Sequence, residues 1–168
     1  MAASNATKSA GTVADVNPNT IIYRPITWKD VDAVVELFDR TWPQDGALAG
    51  TRFSLLISRY FVLHYLQPTT FANAAFAADG TLAGITLIRV AGERPQFDEL
   101  GVAGDLAITE RMIRTNPEAS KRLDMLKNAF ALELDLEREG KANETTLGEL
   151  ELFVVNPDVR GCGVGGGL

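Results

Sequence analysis

The chain has 168 residues, of which 46% are hydrophobic and 23% charged, a composition that supports one globular domain with a packed core. Its formal net charge of −6 excludes a general nucleic-acid binder, which needs a basic stripe to neutralise phosphates. One cysteine and one histidine exclude an internal disulfide and a metal site of three His or Cys ligands. No apolar run reaches the ~20 residues of a membrane span, so we expect a cytoplasmic protein without metal, nucleic-acid or membrane partners.

The N-terminal segment is rich in Ala, Ser, Asn, Thr and Gly and lacks large apolar anchors. We therefore predict a disordered tail over residues 1–19, followed by a single domain over residues 20–168. The tail also lacks the apolar stretch of a secretion signal.

A strand and two helices are predicted at the start of this domain. The strand covers residues 21–24, and Thr27 fits the cap of a helix whose apolar positions run to Phe38 before Pro43 stops it. A loop over residues 44–50 leads to a second helix over residues 52–66. Its expected apolar stripe consists of Phe53, Leu56, Tyr60 and Leu63.

The only histidine, His64, lies on or beside this stripe. A catalytic role stays open, but a packed or surface histidine is favoured because no sequence neighbour would orient it as a base.

Two apolar runs, residues 71–77 and 82–90, flank the dipeptide Asp79-Gly80. This pattern is a strong signal for a β-hairpin.

Two further helices are predicted after the hairpin and a polar loop over residues 92–101. Asp105 is the expected cap of a helix over residues 106–115, and Asn116-Pro117 starts a longer helix that Gly140 ends. The predicted core stripe of the longer helix is Leu123, Leu126, Phe130 and Leu134. Its opposite, charged face is expected to be solvated.

The last twenty residues combine a strand (150–155), a turn (156–158) and a glycine-rich loop. Glycines adopt positive φ and allow consecutive N–H groups to point at one phosphate, so the loop predicts a site for a phosphorylated ligand. Gly161, Gly163 and Gly166 also fit a dinucleotide-binding GxGxxG pattern. That interpretation is disfavoured because five residues separate the strand from the first glycine and no βαβ unit follows.

Arg160, Gly163 and Gly165 match the fixed positions of R/Q-x-x-G-x-G/A, so the loop resembles the acetyl-CoA signature of the GNAT N-acetyltransferases. The preceding Leu-Phe-Val-Val-Asn-Pro resembles that family's fourth strand, and Arg-Pro-Ile-Thr after the first strand resembles its opening. The resemblance implies an α/β fold (α+β, with a mixed sheet), the acyl-CoA N-acyltransferase-like fold, in which the hairpin supplies the second and third strands. The family joins its third and fourth strands by a short turn, whereas this chain carries a helical insertion over about residues 92–148. The insertion packs beside the acceptor, forms an oligomer contact or only covers the sheet.

The resemblance implies transfer of an acetyl group from acetyl-CoA to a primary amine of a small molecule or peptide by direct attack. Pantetheine would lie along the backbone of the fourth strand, and pyrophosphate on the amides of the loop beside Arg160. A flexible tail is the other interpretation of the glycines, and Cys162 is a spacer more readily than a nucleophile. The implied cofactor-binding residues are Phe153, Val154, Val155, Arg160, Gly161, Cys162, Gly163, Val164, Gly165 and Gly166.

Glu149 and Glu151 lie on one face of the predicted strand because side chains alternate with period two. The family often places a glutamate base early on this strand, and Glu149 matches that position best. A pair of surface glutamates is the equally weighted alternative.

Members of this family normally continue through further helices and strands, so we expect this chain to be C-terminally incomplete, and its activity alone stays open. The alternative is a non-catalytic interaction module that pairs through an open sheet edge, and a homodimer is compatible with both. The sequence does not identify the acceptor.

Overall fold

A four-stranded antiparallel sheet with the order β1-β2-β3-β4 organises the chain. The computed structural model describes residues 21–141 and 147–168, and the predicted tail at residues 1–19 lies outside them. The combination of helices and a sheet that the sequence predicts is confirmed, but the strand pairs of the described residues are all antiparallel, whereas a mixed sheet was expected. The strands are β1 (Ile22–Pro25), β2 (Phe71–Phe76), β3 (Leu82–Val90) and β4 (Gly148–Val155).

Helices lie in two of the three connections between these strands. Two lie between β1 and β2, two lie between β3 and β4, and a short one follows β4. Across residues 21–141 and 147–168, no helix combines the length and the apolarity that a bilayer crossing requires. The helices are α1 (Val31–Thr41), α2 (Arg52–Leu66), α3 (Glu99–Ile113), α4 (Pro117–Lys141) and α5 (Val164–Gly167).

The entry into α1 is fixed by the carboxylate of Asp30. Asp30 Oδ2 accepts hydrogen bonds from the backbone N–H and the hydroxyl of Thr27, at 2.8 and 2.9 Å. The guanidinium of Arg24 pairs with the same carboxylate at 2.8 Å and, with the Thr27 bonds, holds its pKa well below the usual range. The predicted start at Thr27 is confirmed, with a 3-10 turn over Trp28–Asp30 before the α-helix.

The buried surface of α2 is wider than the predicted stripe. Tyr60 and Leu63 are buried as expected, but Phe53 and Leu56 are only partly buried. Because α2 packs against α1 on one side and against α3 and α4 on another, apolar residues outside one narrow stripe are also covered. The residues added to the buried set are Ile57, Val62, Tyr65 and Leu66.

The hairpin of β2 and β3 is confirmed. Gly80 in its turn has a φ of 85°, a conformation that glycine adopts without strain. Ala77 N donates to Thr81 O at 2.9 Å and closes the turn.

The predicted start of α3 is wrong. The helix begins at Glu99, and its cap is Asp98, whose Oδ2 accepts from Gly101 N at 2.8 Å. Asp105 lies inside the helix and pairs with Arg59 at 2.7 Å. Glycine weakens an isolated helix, but the complete burial of Val102 shows that packing onto the domain offsets the low propensity of this segment.

Helix α4 begins as predicted, because Asn116 Oδ1 accepts from Ala119 N at 3.0 Å. Leu123 and Phe130 are buried and Leu126 is partly buried, but Leu134 is 45% exposed, so its predicted core position is wrong. Beyond Phe130 the inward-facing positions of α4 hold Glu133, which contacts α2, and Glu137, which contacts β3. The helix also continues through the expected stop at Gly140 as far as Lys141.

The sheet has an apolar cluster on each face. The larger one joins α1 to α4 with one face of the strands, including Ile85, Leu87 and Leu152. The smaller one, on the other face, consists of Ala75, Ala83, Val159 and Val164. The segment that follows β4 is thereby held against the sheet.

Candidate functional site

Strand β4 presents an open edge. In the part of the chain that the structure describes, β4 has a neighbouring strand only on its β3 side. Asn156 N donates to Ala83 O at 2.9 Å, which identifies Asn156 and Ala83 as a hydrogen-bonded pair of the β3–β4 ladder. Because bonded and non-bonded pairs alternate in an antiparallel ladder, the backbone groups of Phe153 and Val155 point away from β3, whereas those of Val154 point toward it. The edge therefore offers the N–H and C=O groups of Phe153 and Val155 to a ligand.

The glycine loop follows this edge after a 3-10 turn at Pro157–Val159. Gly161 and Gly163 have φ values of 82° and 79°, which side-chain-bearing residues rarely adopt. Gly163 caps α5, and within residues 21–141 and 147–168 no group accepts from the amides of Gly163, Val164 or Gly165. Three adjacent donors are thus available to an anion.

The loop is fixed at both of its ends. The buried Asn156 donates from Nδ2 to Leu82 O at 3.2 Å, and its Oδ1 accepts from Asp158 N at 3.0 Å. At the other end, the Tyr23 hydroxyl donates to Val164 O at 3.3 Å. Arg160 Nε donates to Val155 O, one of the edge carbonyls, at 3.4 Å. These contacts join the loop to β1, β3 and β4.

Among the predicted cofactor residues, Phe153 and Val155 lie on the β4 edge, and those from Arg160 to Gly166 follow in the loop and the start of α5. Val154 does not belong to this surface, because its side chain is buried and its backbone groups point toward β3. Cys162 is half-buried against the smaller apolar cluster, consistent with a spacer rather than a nucleophile.

A β-bulge at Glu151 sets the direction of the second group of predicted residues. Leu87 pairs with Leu152, but the next residue, Ile88, pairs with Leu150, so Glu151 has no partner on β3. The extra residue lets Glu151 and Leu152 both face the helices. The prediction that Glu149 and Glu151 share a face is confirmed, but that face is covered by α2 and α4, so the alternative of a solvent-side pair is wrong.

Three carboxylates surround the guanidinium of Arg89. Glu149 lies directly across the ladder and pairs with it, and Glu137 reaches it from α4 at 2.7 Å. Arg89 Nε lies 2.7 Å from Oε1 of Glu151, which is an ion pair without the alignment of a hydrogen bond. The side chain of Glu151 is only 6% exposed, against 25% for Glu149.

Burial governs the protonation of this cluster. Removal from water raises the pKa of Glu151, Arg89 opposes the shift, and the neighbouring Glu137 and Glu149 reinforce it. Desolvation opposes the charge of Arg89, but the three carboxylates more than offset it and raise its pKa. Glu151 is therefore a buried carboxylate held closer to neutrality than an exposed glutamate.

Tyr65 and His64 line a cavity together with residues of this acidic cluster. The Tyr65 hydroxyl donates to Glu133 Oε2 at 2.7 Å, and burial together with that bond raises the pKa of Tyr65. The His64 ring stacks on Phe130 with centroids 3.7 Å apart and planes 8° from parallel, and burial lowers the pKa of His64. The favoured interpretation of His64 as a packed residue agrees with this stack.

Sequence reasoning missed four residues of this cluster: Tyr65, Arg89, Glu133 and Glu137. A signal exists for the last two, which continue the inward face of α4 at three and seven positions after Phe130. Arg89, in contrast, lies 48 residues from Glu137 and 60 from Glu149, so no local pattern relates them.

The glycine loop and the acidic cluster lie at opposite ends of β4. Glu151 precedes Val155 by four residues, or ~13 Å of strand. Among residues 21–141 and 147–168 no group of three or more His, Cys, Asp or Glu side chains has the arrangement of a metal site.

Comparisons with known proteins give no relative. No family model matches the chain, and no curated protein or solved structure matches it.

Proposed function

We propose that this chain is a GNAT-type N-acetyltransferase with an acyl-CoA N-acyltransferase-like fold, which moves an acetyl group from acetyl-CoA to a primary amine. One observation carries the proposal: beyond the 3-10 turn that follows the open edge of β4, the amides of Gly163, Val164 and Gly165 donate to no described group. A pantetheine amide pairs with the edge groups of Phe153 and Val155, and the pyrophosphate lies on the loop amides with Arg160 beside it.

The acidic end of β4 supports the amine half of the reaction. Binding holds the amine against the thioester, the nitrogen forms a bond to the acetyl carbon, and the carbon–sulfur bond breaks to release the thiolate. The ammonium first loses one proton to become a nucleophile, and a carboxylate whose pKa is raised toward neutrality suits that acceptor role. The acetylated nitrogen then loses a second proton, which the thiolate takes up to give the free thiol.

Of the two candidate bases, we favour Glu151. The family pattern points to Glu149, and both glutamates contact Arg89, but Glu149 is four times more exposed than Glu151. Glu151 combines a buried side chain with a raised pKa. Glu149, Glu137 and Arg89 then act as positioning residues for it.

A second candidate function, non-catalytic pairing through the β4 edge, is favoured by one observation. Leu150 and Phe153 are exposed on this edge strand, and open apolar edges promote association with another chain. For the transferase we propose a cytoplasmic location, which the single cysteine supports.

The test of the transferase is a thermal-shift titration of the protein with acetyl-CoA. Saturating acetyl-CoA should raise the melting temperature, because a ligand that binds only the native state stabilises it. The variant Gly163→Glu should abolish the shift, since its carboxylate repels the phosphates and its side chain strains a φ of 79°.

Gly80→Glu is the matched control, because Gly80 has a φ of 85° and equally open surroundings in the hairpin turn. This variant should lose similar stability and keep the acetyl-CoA shift. No shift in the unmodified protein would contradict the transferase. A defined oligomer by light scattering, without acetyl-CoA binding, would then favour edge pairing.

A further inference from the structure

An apolar cleft of about 800 Å³ lies between α1, α2, α4 and β4. Aromatic rings form much of its wall: Trp42 lies 5.0 Å from Phe38, which stacks on Phe61 at 4.5 Å between centroids. This size and lining suit a small molecule with an apolar ring. The principal apolar lining residues are Phe38, Trp42, Ile57, Phe61, Met125 and Leu152.

This apolar section opens into the acidic section around Arg89. Phe61, Leu126 and Ala129 line both the apolar cleft and an adjoining cavity of about 610 Å³. The adjoining cavity carries four carboxylates, and no lysine or arginine of the described ranges is among its lining residues, although Arg89 contacts three of those carboxylates. Those carboxylates belong to Glu133, Glu137, Glu149 and Glu151.

Charge is distributed unequally along the combined cleft. Among the described residues, Arg89 pairs with three of the four carboxylates of the acidic section, and Glu133 accepts from the Tyr65 hydroxyl. At the apolar section the charged lining residue is Arg122, whose Nε donates to Gln44 Oε1 at 2.7 Å. An amphipathic cation therefore has one favoured orientation, with its charge toward Glu151 and away from Arg122.

Glu151 contributes a buried charge to the acidic section. Its side chain is 94% buried, it lines that section, and its Oε1 is ion-paired with Arg89 Nε at 2.7 Å. Charges attract more strongly where water is excluded, so the carboxylates that line the section favour the ammonium of a ligand.

We propose that the acceptor is a primary amine that carries an aromatic or similarly bulky apolar group. The apolar group lies between Trp42 and Met125, and the ammonium lies at the carboxylates around Glu151. The inference rests on the proposed function for the fate of the amine, but the binding that it requires is independent of acetyl-CoA.

The experiment is a calorimetric titration of the protein with 2-phenylethylamine in the absence of acetyl-CoA. Two comparison ligands each lack one half of the recognised structure: ethylamine lacks the ring, and 2-phenylethanol lacks the charge. We expect 2-phenylethylamine to bind at least about tenfold more tightly than either, because the ring fills the apolar section and the ammonium pairs with carboxylates.

Matched variants locate the site. Trp42→Ala should weaken 2-phenylethylamine at least about tenfold, whereas Trp28→Ala should not, although the two tryptophans are similarly exposed at 47% and 40%. Met125→Ser and Met112→Ser form a second pair of exposed helical methionines, of which only Met125 lines the cleft. This pair gives a result even where a tryptophan variant fails to fold.

Three results would overturn the inference: no binding of 2-phenylethylamine, equal binding of either comparison ligand, or equal weakening by the control variants. A dimer by sedimentation, with no amine binding, would assign the apolar section to a second copy of the chain. Loss of amine binding with the acetyl-CoA shift intact overturns this inference alone. Amine binding without any acetyl-CoA shift overturns the transferase instead.

Discussion

Arg89 Nε lies 2.7 Å from Oε1 of Glu151, an oxygen that is shielded from solvent and receives no hydrogen bond from any described residue. The same guanidinium pairs with Glu137 and Glu149, so it contacts three carboxylates drawn from two elements. A buried ion that loses its partner destabilises a protein far more than a solvated one does. Arg89 is therefore the residue on which the stability of the acidic cluster depends.

Arg89→Met should lower the free energy of unfolding by about 3 kcal/mol at pH 7, because it removes the guanidinium that the buried Glu151 and two neighbouring carboxylates contact. Urea denaturation measures this loss. The exposed Arg94 gives the control, and Arg94→Met should change stability by less than about 0.5 kcal/mol.

The deficit of Arg89→Met should shrink as the pH falls from 7 toward 4. Without Arg89, which opposes the effect of burial, the pKa of Glu151 rises further in the folded state. Groups with raised pKa values favour folding below the unfolded pKa and oppose it as the pH rises through the folded pKa. A deficit that stays constant with pH would show that the loss comes from packing rather than from charge.

Glu151→Gln should reduce acetyl transfer to 2-phenylethylamine by about 10²–10⁴-fold, the usual contribution of a general base. Release of free thiol measures the rate. Because the pKa of Glu151 is raised by burial, the rate of the unmodified enzyme should fall with decreasing pH already above the ordinary glutamate range. This acid limb should disappear in Glu151→Gln.

Glu149→Gln is the matched comparison, since Glu149 lies on the same strand and contacts the same arginine. It should change the rate less than Glu151→Gln and should retain the acid limb. The reverse order would assign the base to Glu149, as the family pattern alone suggests.

His64 should make the fold sensitive to mild acid. Burial lowers its pKa below 6.5, while Glu133 and Glu137 act in the opposite direction. A lowered pKa favours the folded state above the unfolded pKa, and this contribution is lost as the pH falls through the folded value. The unmodified protein should thus lose more stability between pH 7 and 5 than His64→Phe does.

Because the chain has one histidine, an NMR titration of its ring reports this pKa directly. A value at or above 6.5 would contradict the burial of the imidazole against Phe130.

Leu123→Ala should lower the free energy of unfolding by about 2–5 kcal/mol, because Leu123 is fully buried between α4 and the rest of the domain. Leu134→Ala, eleven residues later on the same helix, should have an effect below about 1 kcal/mol, since Leu134 is half-exposed. Equal losses, measured by chemical denaturation, would restore the core stripe that the sequence pattern predicts.

Local patterns account for most of the elements. The hairpin at Asp79-Gly80, the caps at Thr27 and Asn116 and the loop after β4 each depend on a few adjacent residues, and these positions agree with the structure. The start of α3 does not, because Gly101 lowers helix propensity and only tertiary packing restores the helix there.

The candidate site divides in the same way. The glycine loop can be predicted from the sequence because its hydrogen-bond donors are consecutive backbone amides. The acidic cluster is not, since Arg89, Glu137 and Glu149 meet only after the sheet and α4 pack together. The direction in which the side chains of Glu149 and Glu151 point depends in addition on the register between β3 and β4. The alternation of side chains along a single strand does not reveal that register.

That register gives Glu151 an unusual status within β4. If Glu151 were deleted, Leu87 with Leu152 and Ile88 with Leu150 would become successive rungs of one regular ladder, and each remaining pair would keep its partner. The sheet does not require this residue for its own continuity. Strand pairing therefore does not explain why β4 contains an additional residue that is buried and charged. Deletion of Glu151 would therefore test whether the sheet folds without the residue that we propose as the base in the cleft.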